Sequence, residues 1–421
     1  MKKGDIKIGY VPTRNPDFFS IEDARKFRSV ILDKIKGFGV EVIDIADVVD
    51  EGLVYNNSHV EGVVRKLQLC GIDGLFFPHC NFGTEDVVSK IAAGLNKPVL
   101  LWGPRDGFPL GNRMRSRDTQ CGLFATSKVL QRFNVPFTYI TNSGVEDEVF
   151  ERGYRNFAAV CATVKAFRNL RILQIGLRPA SFWTVICNEG ELLKKFGIQI
   201  FPLNVKDVTD AVARLLSDRS SPALKKSCEK LVSCVDFGDI QEEYVLKMAA
   251  LMTVMLEYCE REGCSAISIQ CWDTLQNTLG VSSCIVNGVI TSEGIPVACE
   301  GDIHGAISSI LIQDAAMRTT PVVFTDFANR HPVDENKELL WHCGNFPYSL
   351  AKEGCGRKAG YHLYFPAKFP GIGDWELVHD DVTICRFDEQ DGEYSLLIGE
   401  ARGTEGPDSL GTYLWIEVDD W

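Results

Sequence analysis

The sequence predicts an α/β protein: two doubly wound α/β domains followed by a smaller antiparallel β-rich C-terminal domain. Three observations carry this. Short apolar runs alternate with amphipathic stretches from Ile6 onward. The same grammar restarts at Arg171, after a break near residues 166–170. Beyond about residue 330, helical spacing gives way to alternating runs set between Gly and Asp turns. The expected division is 1–167, 168–328 and 329–421.

In the first domain, Ile6 to Val11 reads as a short strand. Ser20-Ile-Glu-Asp23 has a capping-box pattern and opens a helix that stops near Gly37. Val40 to Ile45 alternates as a strand, a helix follows to Cys70, and Gly74 to Phe77 is an apolar strand. Thr84 to Leu95 reads as a helix and Val99 to Trp102 as a buried strand. Strands separated by helices imply a parallel sheet. In the second domain, Arg171 to Ile175 is a strand. Asn188-Glu-Gly-Glu191 supplies an N-cap with a carboxylate at the third helical position. Ile198 to Phe201 is a strand, and a long helix runs from about Gln241 to Arg261. Ala266 to Ser268, Pro296 to Cys299 and Val322 to Thr325 are further short strands. In the last domain, Val382 to Phe387, Tyr394 to Gly399 and Thr412 to Val418 form the antiparallel region.

The 421 residues are 45% hydrophobic, enough for a core in each domain. A net charge of −13 leaves no basic face for nucleic acid or an anionic membrane. No apolar run reaches the length of a membrane span, and no signal peptide opens the chain. The 15 cysteines contain no C-x-x-C pair, which fits free, mostly buried thiols in a reducing cytoplasm.

Chemistry concentrates in Ala298-Cys-Glu-Gly-Asp-Ile-His-Gly305. Glu300 follows the strand at Pro296 to Cys299, and Asp326 follows the strand at Val322 to Thr325. Both would project from carboxyl ends of strands in one sheet, where open α/β sheets bind ligands. Trp341-His342-Cys343-Gly344 comes shortly after. Two carboxylates and an imidazole suit a borderline divalent metal. Such a metal polarises a carbonyl, while a carboxylate pair shuttles a proton between adjacent carbons. Spacing leaves a plainer alternative open: Asp302 and His304 cap the following helix, and Asp326 ends a strand.

These segments, with Gln270-Cys-Trp272, Gly294-Ile-Pro296, Lys97-Pro-Val-Leu-Leu-Trp-Gly103, Arg178-Pro179 and Asn188-Glu-Gly-Glu191, resemble the L-fucose/L-arabinose isomerase family along nearly the whole chain. The resemblance implies interconversion of aldoses and ketoses through an enediol, with Mn²⁺ or another divalent cation such as Mg²⁺ or Co²⁺. It implies Glu300 and Asp326 as metal ligands and as the acid/base pair, and His342 as a further ligand. It also implies a homo-oligomer, a trimer or hexamer, in which the first domain of one copy closes a neighbour's site. The family carries a further C-terminal segment with a metal-binding histidine. The sequence stops at Trp421 ahead of it, and His331, His362 and His379 are not obvious replacements, so a ligand set short of that histidine is expected.

On the substrate side, Arg14 resembles a substrate-contacting arginine of the fucose-type members. Gln270 and Trp272 adjoin the candidate site. Arg105, Arg113, Arg115 and Arg117 crowd one loop of an acidic chain, and Trp102 lies just before them, where an indole would stack on a sugar. Arg115 and Arg117 are candidates for holding a sulfonate or phosphate substituent; pairing with surface acids is the alternative. Two other functions stay open. One is a non-catalytic sugar-binding or regulatory homologue. The other is a different metal enzyme, an epimerase or aldolase, that uses the same enediol.

Overall fold

The computed structural model describes residues 5–168, 170–362 and 368–419. Residue 169 of the expected break and the last two residues of the chain lie outside the described residues. The chain forms two compact units, Met1–Lys165 and Ala166–Trp421.

The first unit has a five-stranded parallel sheet in the order β2-β1-β3-β4-β5. The strands are β1 (Lys7–Tyr10), β2 (Glu41–Asp44), β3 (Gly74–Pro78), β4 (Val99–Trp102) and β5 (Thr138–Tyr139). The helices α1 (Ile21–Lys36), α2 (His59–Cys70), α3 (Glu85–Leu95), α4 (Thr119–Arg132) and α5 (Glu148–Phe167) are interspersed with them in the chain. The capping pattern at Ser20 works as expected: its side chain accepts the Asp23 N–H, and Gly37 closes α1. β3 and β4 are buried throughout, which is why their sequences run apolar rather than alternating.

The second unit begins with a four-stranded parallel sheet in the order β7-β6-β8-β9. Its strands are β6 (Arg171–Ile175), β7 (Gln199–Leu203), β8 (Ala266–Ile269) and β9 (Val297–Ala298). The helices α6 (Glu189–Phe196), α7 (Val205–Ser217), α8 (Pro222–Cys234), α9 (Glu242–Arg261), α10 (Thr274–Leu279), α11 (Cys284–Ser292) and α12 (Ile303–Ala315) complete this part. A seven-stranded, mostly antiparallel sheet follows, built from β10 (Asp326–Arg330), β11 (Lys337–His342), β12 (Lys358–Tyr361), β13 (Pro370–Glu376), β14 (Asp381–Gln390), β15 (Glu393–Thr404) and β16 (Thr412–Glu417). One apolar core joins both sheets: Met248 and Val289 belong to the same buried cluster as Leu340, Trp375 and Ile416. Among the described residues, no helix is long and apolar enough to cross a membrane.

One expected strand is absent. Residues 322–325 form no ladder. β9 is an edge strand two residues long, and side chains meet the following backbone instead. Asn345 Nδ2 donates to the Phe324 carbonyl at 3.4 Å. Asp326 therefore opens a strand of the C-terminal sheet rather than ending one in the parallel sheet. The two carboxylates come from different sheets, not from one.

Candidate active site

Glu300 sits in the turn between β9 and α12. Its φ is +64°, a left-handed conformation that strains a residue with a long side chain. Gly301 follows at φ +71°, and a Cβ there would lie 2.8 Å from the Arg178 backbone nitrogen. The turn is thus closed by the loop after β6. Asp302 is the N-cap of α12, accepting the Gly305 N–H at 2.8 Å, and it is ion-paired with Arg386. His304 is buried, with Nδ1 3.0 Å from Asp388 Oδ1. The capping alternative therefore holds for Asp302, and His304 is used by the fold. Glu300 is the group of this stretch left for chemistry.

Glu300, Asp326 and Trp272 line one cavity of about 400 Å³, together with Trp341, Cys343 and His362. Burial pushes the Glu300 carboxyl up to about 7, aided by repulsion from Asp326 and then Asp302; a hydrogen bond from Trp272 opposes this. Asp326 stands open at the cavity surface, and its carboxyl is still raised by the surrounding protein and by Asp302. A second cavity of about 790 Å³ adjoins the first: Trp272 lines both, and Gly301, next to Glu300, lines the second. Gln270 lines this second cavity, where its Oε1 accepts the Leu177 N–H at 3.0 Å.

His342 ends β11 and is buried, with Nε2 3.9 Å from Glu300 Oε1. Burial lowers its pKa to about 4, so the ring is neutral at neutral pH. Its Nδ1 accepts the Cys343 N–H at 2.9 Å, which puts the ring proton on Nε2. In that tautomer His342 is a donor facing Glu300 rather than a ligand. The donor chemistry of Glu300 and Asp326 does fit a divalent cation: their charges repel, and no Lys or Arg lines their cavity among the described residues. His342 fits only in its other tautomer. His362 was set aside from sequence, yet it lines the same cavity, with a pKa lowered to about 4 by burial and by His342. No spacing signal could have found it, since it directly follows β12 and is placed by the antiparallel sheet. A tighter His–carboxylate group, Glu376–His379–Glu405, lines neither cavity, and the Lys352 ammonium already holds both of its carboxylates. The thiols of Cys299 and Cys343 are pushed up by their surroundings and stay protonated.

The remaining residues singled out from sequence belong to the first unit. Trp102 is fully buried, donates from Nε1 to Ser143 Oγ at 3.0 Å and packs on Phe150 at 4.2 Å between ring centroids. The expectation that it stacks on a sugar is corrected: this indole is core. Arg14 is buried, 3.7 Å from Glu51 and 3.7 Å above the Tyr55 ring. Arg117 is buried against Asp23, Asp106 and the Phe27 ring. Arg115 is exposed and paired with Asp118 at 2.8 Å.

Residues 9–168 match the family described as the fucose/sulfoquinovose isomerase N-terminal domain. Sulfoquinovose isomerases of Priestia aryabhattai and Priestia megaterium are each 28% identical over 414 residues, spanning 97% of this chain and 88% of theirs. The sulfoquinovose isomerase of Alkalicoccus urumqiensis is 28% identical over 80% of this chain and 73% of its own. These relationships run through both units and make the chain similar to fucose isomerase-like sugar isomerases, with a fucose/sulfoquinovose isomerase N-terminal domain over residues 9–168.

Proposed function

We propose that the protein is an aldose–ketose isomerase whose substrate is a sulfonated sugar. The observation that carries this is Glu300. It is a largely buried carboxyl poised near pH 7, held in a strained turn, in one cavity with Asp326. A group with that pKa gives and takes a proton at neutral pH with little driving force lost either way. The sulfonated substrate is carried over from the relatives named as sulfoquinovose isomerases.

In this reading Glu300 and Asp326 flank the open-chain sugar as the acid/base pair. A carboxylate takes the C2 proton, and the electron pair left behind forms the C1=C2 bond of an enediol. The proton returns to C1, the hydroxyl proton of O2 passes to O1, and the ketose results. Glu300 and Asp326 would also hold a divalent cation, Mn²⁺ being the family's typical choice. When bound, such a cation supplies Lewis-acid polarisation of the carbonyl. His342 Nε2 faces Glu300 at 3.9 Å without a hydrogen-bond partner, and ligates in its other tautomer. Trp272 orients Glu300 through its indole N–H, and Gln270 contacts the sugar. Arg115 and Arg117 would meet an anionic substituent in competition with the carboxylates bonded to them, and Arg14 lies buried beside Glu51. The reading therefore rests on the residues of the second unit for substrate contact. A homo-oligomer in which one copy's first unit covers a neighbour's site is part of the same proposal.

The test is ketose formation from a panel of sulfonated, phosphorylated and neutral aldoses with added Mn²⁺, beside Glu300→Gln and Asp326→Asn. Turnover lost on chelation and in both variants is the expected result. No turnover together with no metal retained on purification would instead favour a non-catalytic sugar-binding protein.

A further inference from the structure

The site as proposed has an electrostatic gap. Glu300 and Asp326 make the reacting end of the sugar acidic, and an anionic substituent must lie away from them and against a cation. Among the described residues lining the two adjoining cavities, Arg178 is the one Lys or Arg. It follows β6, at the carboxyl end of the parallel sheet, in the loop whose backbone packs on Gly301 beside Glu300. Its guanidinium is only partly engaged. One terminal nitrogen donates to the carbonyls of Pro179 and Ala180, each at 3.1 Å. Among the described residues it has no ion pair, and Nε and the other terminal nitrogen have no hydrogen-bond acceptor. Of the arginines singled out from sequence as substrate contacts, Arg115 and Arg117 are hydrogen-bonded to acids and Arg14 lies 3.7 Å from Glu51. The two carbonyl bonds fix the plane of the guanidinium, and the open fork matches a tetrahedral oxyanion.

We infer that Arg178 is the residue that recognises the sulfonate of the substrate, seated in the larger cavity while the reacting carbons lie at Glu300 and Asp326. This rests on the isomerase reading for its substrate but makes a separate claim. The larger cavity, about 790 Å³, has room for the substituent and its carbon. The Trp272 side of the cavity is shared with the catalytic pocket, so a single sugar spans both.

The experiment compares kcat/KM for sulfoquinovose with that for the neutral parent hexose, in wild type, Arg178→Ala and Arg178→Lys. A charge-assisted, two-point contact predicts that the preference for the sulfonated sugar falls about 30–100-fold in Arg178→Ala. Arg178→Lys, which keeps the charge and loses the fork, recovers part of it. A phosphorylated hexose tests whether the fork takes any tetrahedral anion or sulfonate alone. An unchanged preference in Arg178→Ala overturns the assignment while leaving the isomerase reading intact. Calorimetry with sulfoquinovose runs in parallel. If no aldose turns over, the isomerase reading fails on its own, and weaker sulfoquinovose binding by Arg178→Ala than by wild type still supports the recognition role. Equal binding by the two, or none by either, overturns it.

Discussion

The charged residues singled out in the two units are held in opposite ways. In the first, the arginines most suggestive in sequence are neutralised by nearby acids: Arg14 by Glu51, Arg117 by Asp23 and Asp106, Arg115 by Asp118. In the second, Glu300 and Asp326 line one cavity with their carboxyls raised, and Arg178 keeps an open fork. A fold that leaves like charges together in a cavity accepts a cost in stability. That cost is the mark of a site rather than of a scaffold. Charge clustering in a sequence does not separate the two cases, because pairing is decided by elements distant in the chain.

The largest effect expected from this contrast is on turnover. Glu300→Gln removes the proton acceptor while keeping the shape of the side chain, and should lower kcat by about 10³-fold or more, with Asp326→Asn similar. Ketose formation measured directly gives the answer. Near-normal rates in both variants would break the contrast, because the uncompensated carboxylates would then have no use.

The next effect is on stability and has the opposite sign. The Glu300 carboxyl lies near 7 in the folded protein against 4.5 in an ordinary setting. Between these values the folded state binds more protons than the unfolded one, so stability falls as pH rises through the window and stays lower above it. The shift corresponds to at most about 3 kcal/mol. In chelator-treated protein, Glu300→Gln should therefore be more stable than wild type at pH 8, and the difference should shrink toward pH 4.5. Urea unfolding at both pH values measures it. A variant that is less stable at pH 8 would show that Glu300 is held by favourable contacts and is not strained.

The fold was legible where local chemistry sets it. The Ser20 cap, the Asn188 cap and the buried strands β3 and β4 follow from a few neighbouring residues. The assignment of residues 322–325 failed because an apolar run specifies burial, while a strand also needs a partner, and β9 ends the sheet. Of the site, Glu300 and Asp326 could be picked out as acids beside apolar runs. Trp102 could not be told from a sugar-stacking residue, since its burial depends on α5 arriving with Phe150. His362 and the open fork of Arg178 were invisible for the same reason. Whether a side chain lines a cavity, or finds an acid, is settled by tertiary contacts.

The smallest effects sharpen the first unit's side of the contrast. Arg117 has 8% of its side chain exposed and also donates to the Arg105 carbonyl at 2.8 Å. Arg117→Ala leaves that carbonyl and the partly buried Asp23 carboxylate without this partner, and should cost about 1–3 kcal/mol. Arg115 lies two residues away with 62% of its side chain exposed, and its pair with Asp118 is bathed in solvent. Arg115→Ala should leave the urea midpoint where it was, since water replaces what Asp118 loses. Neither variant should change the preference for a sulfonated over a neutral sugar. If Arg115→Ala weakened that preference without shifting the midpoint, the exposed arginine would be a substrate contact after all. The assignment of anion recognition to Arg178 alone would then fail.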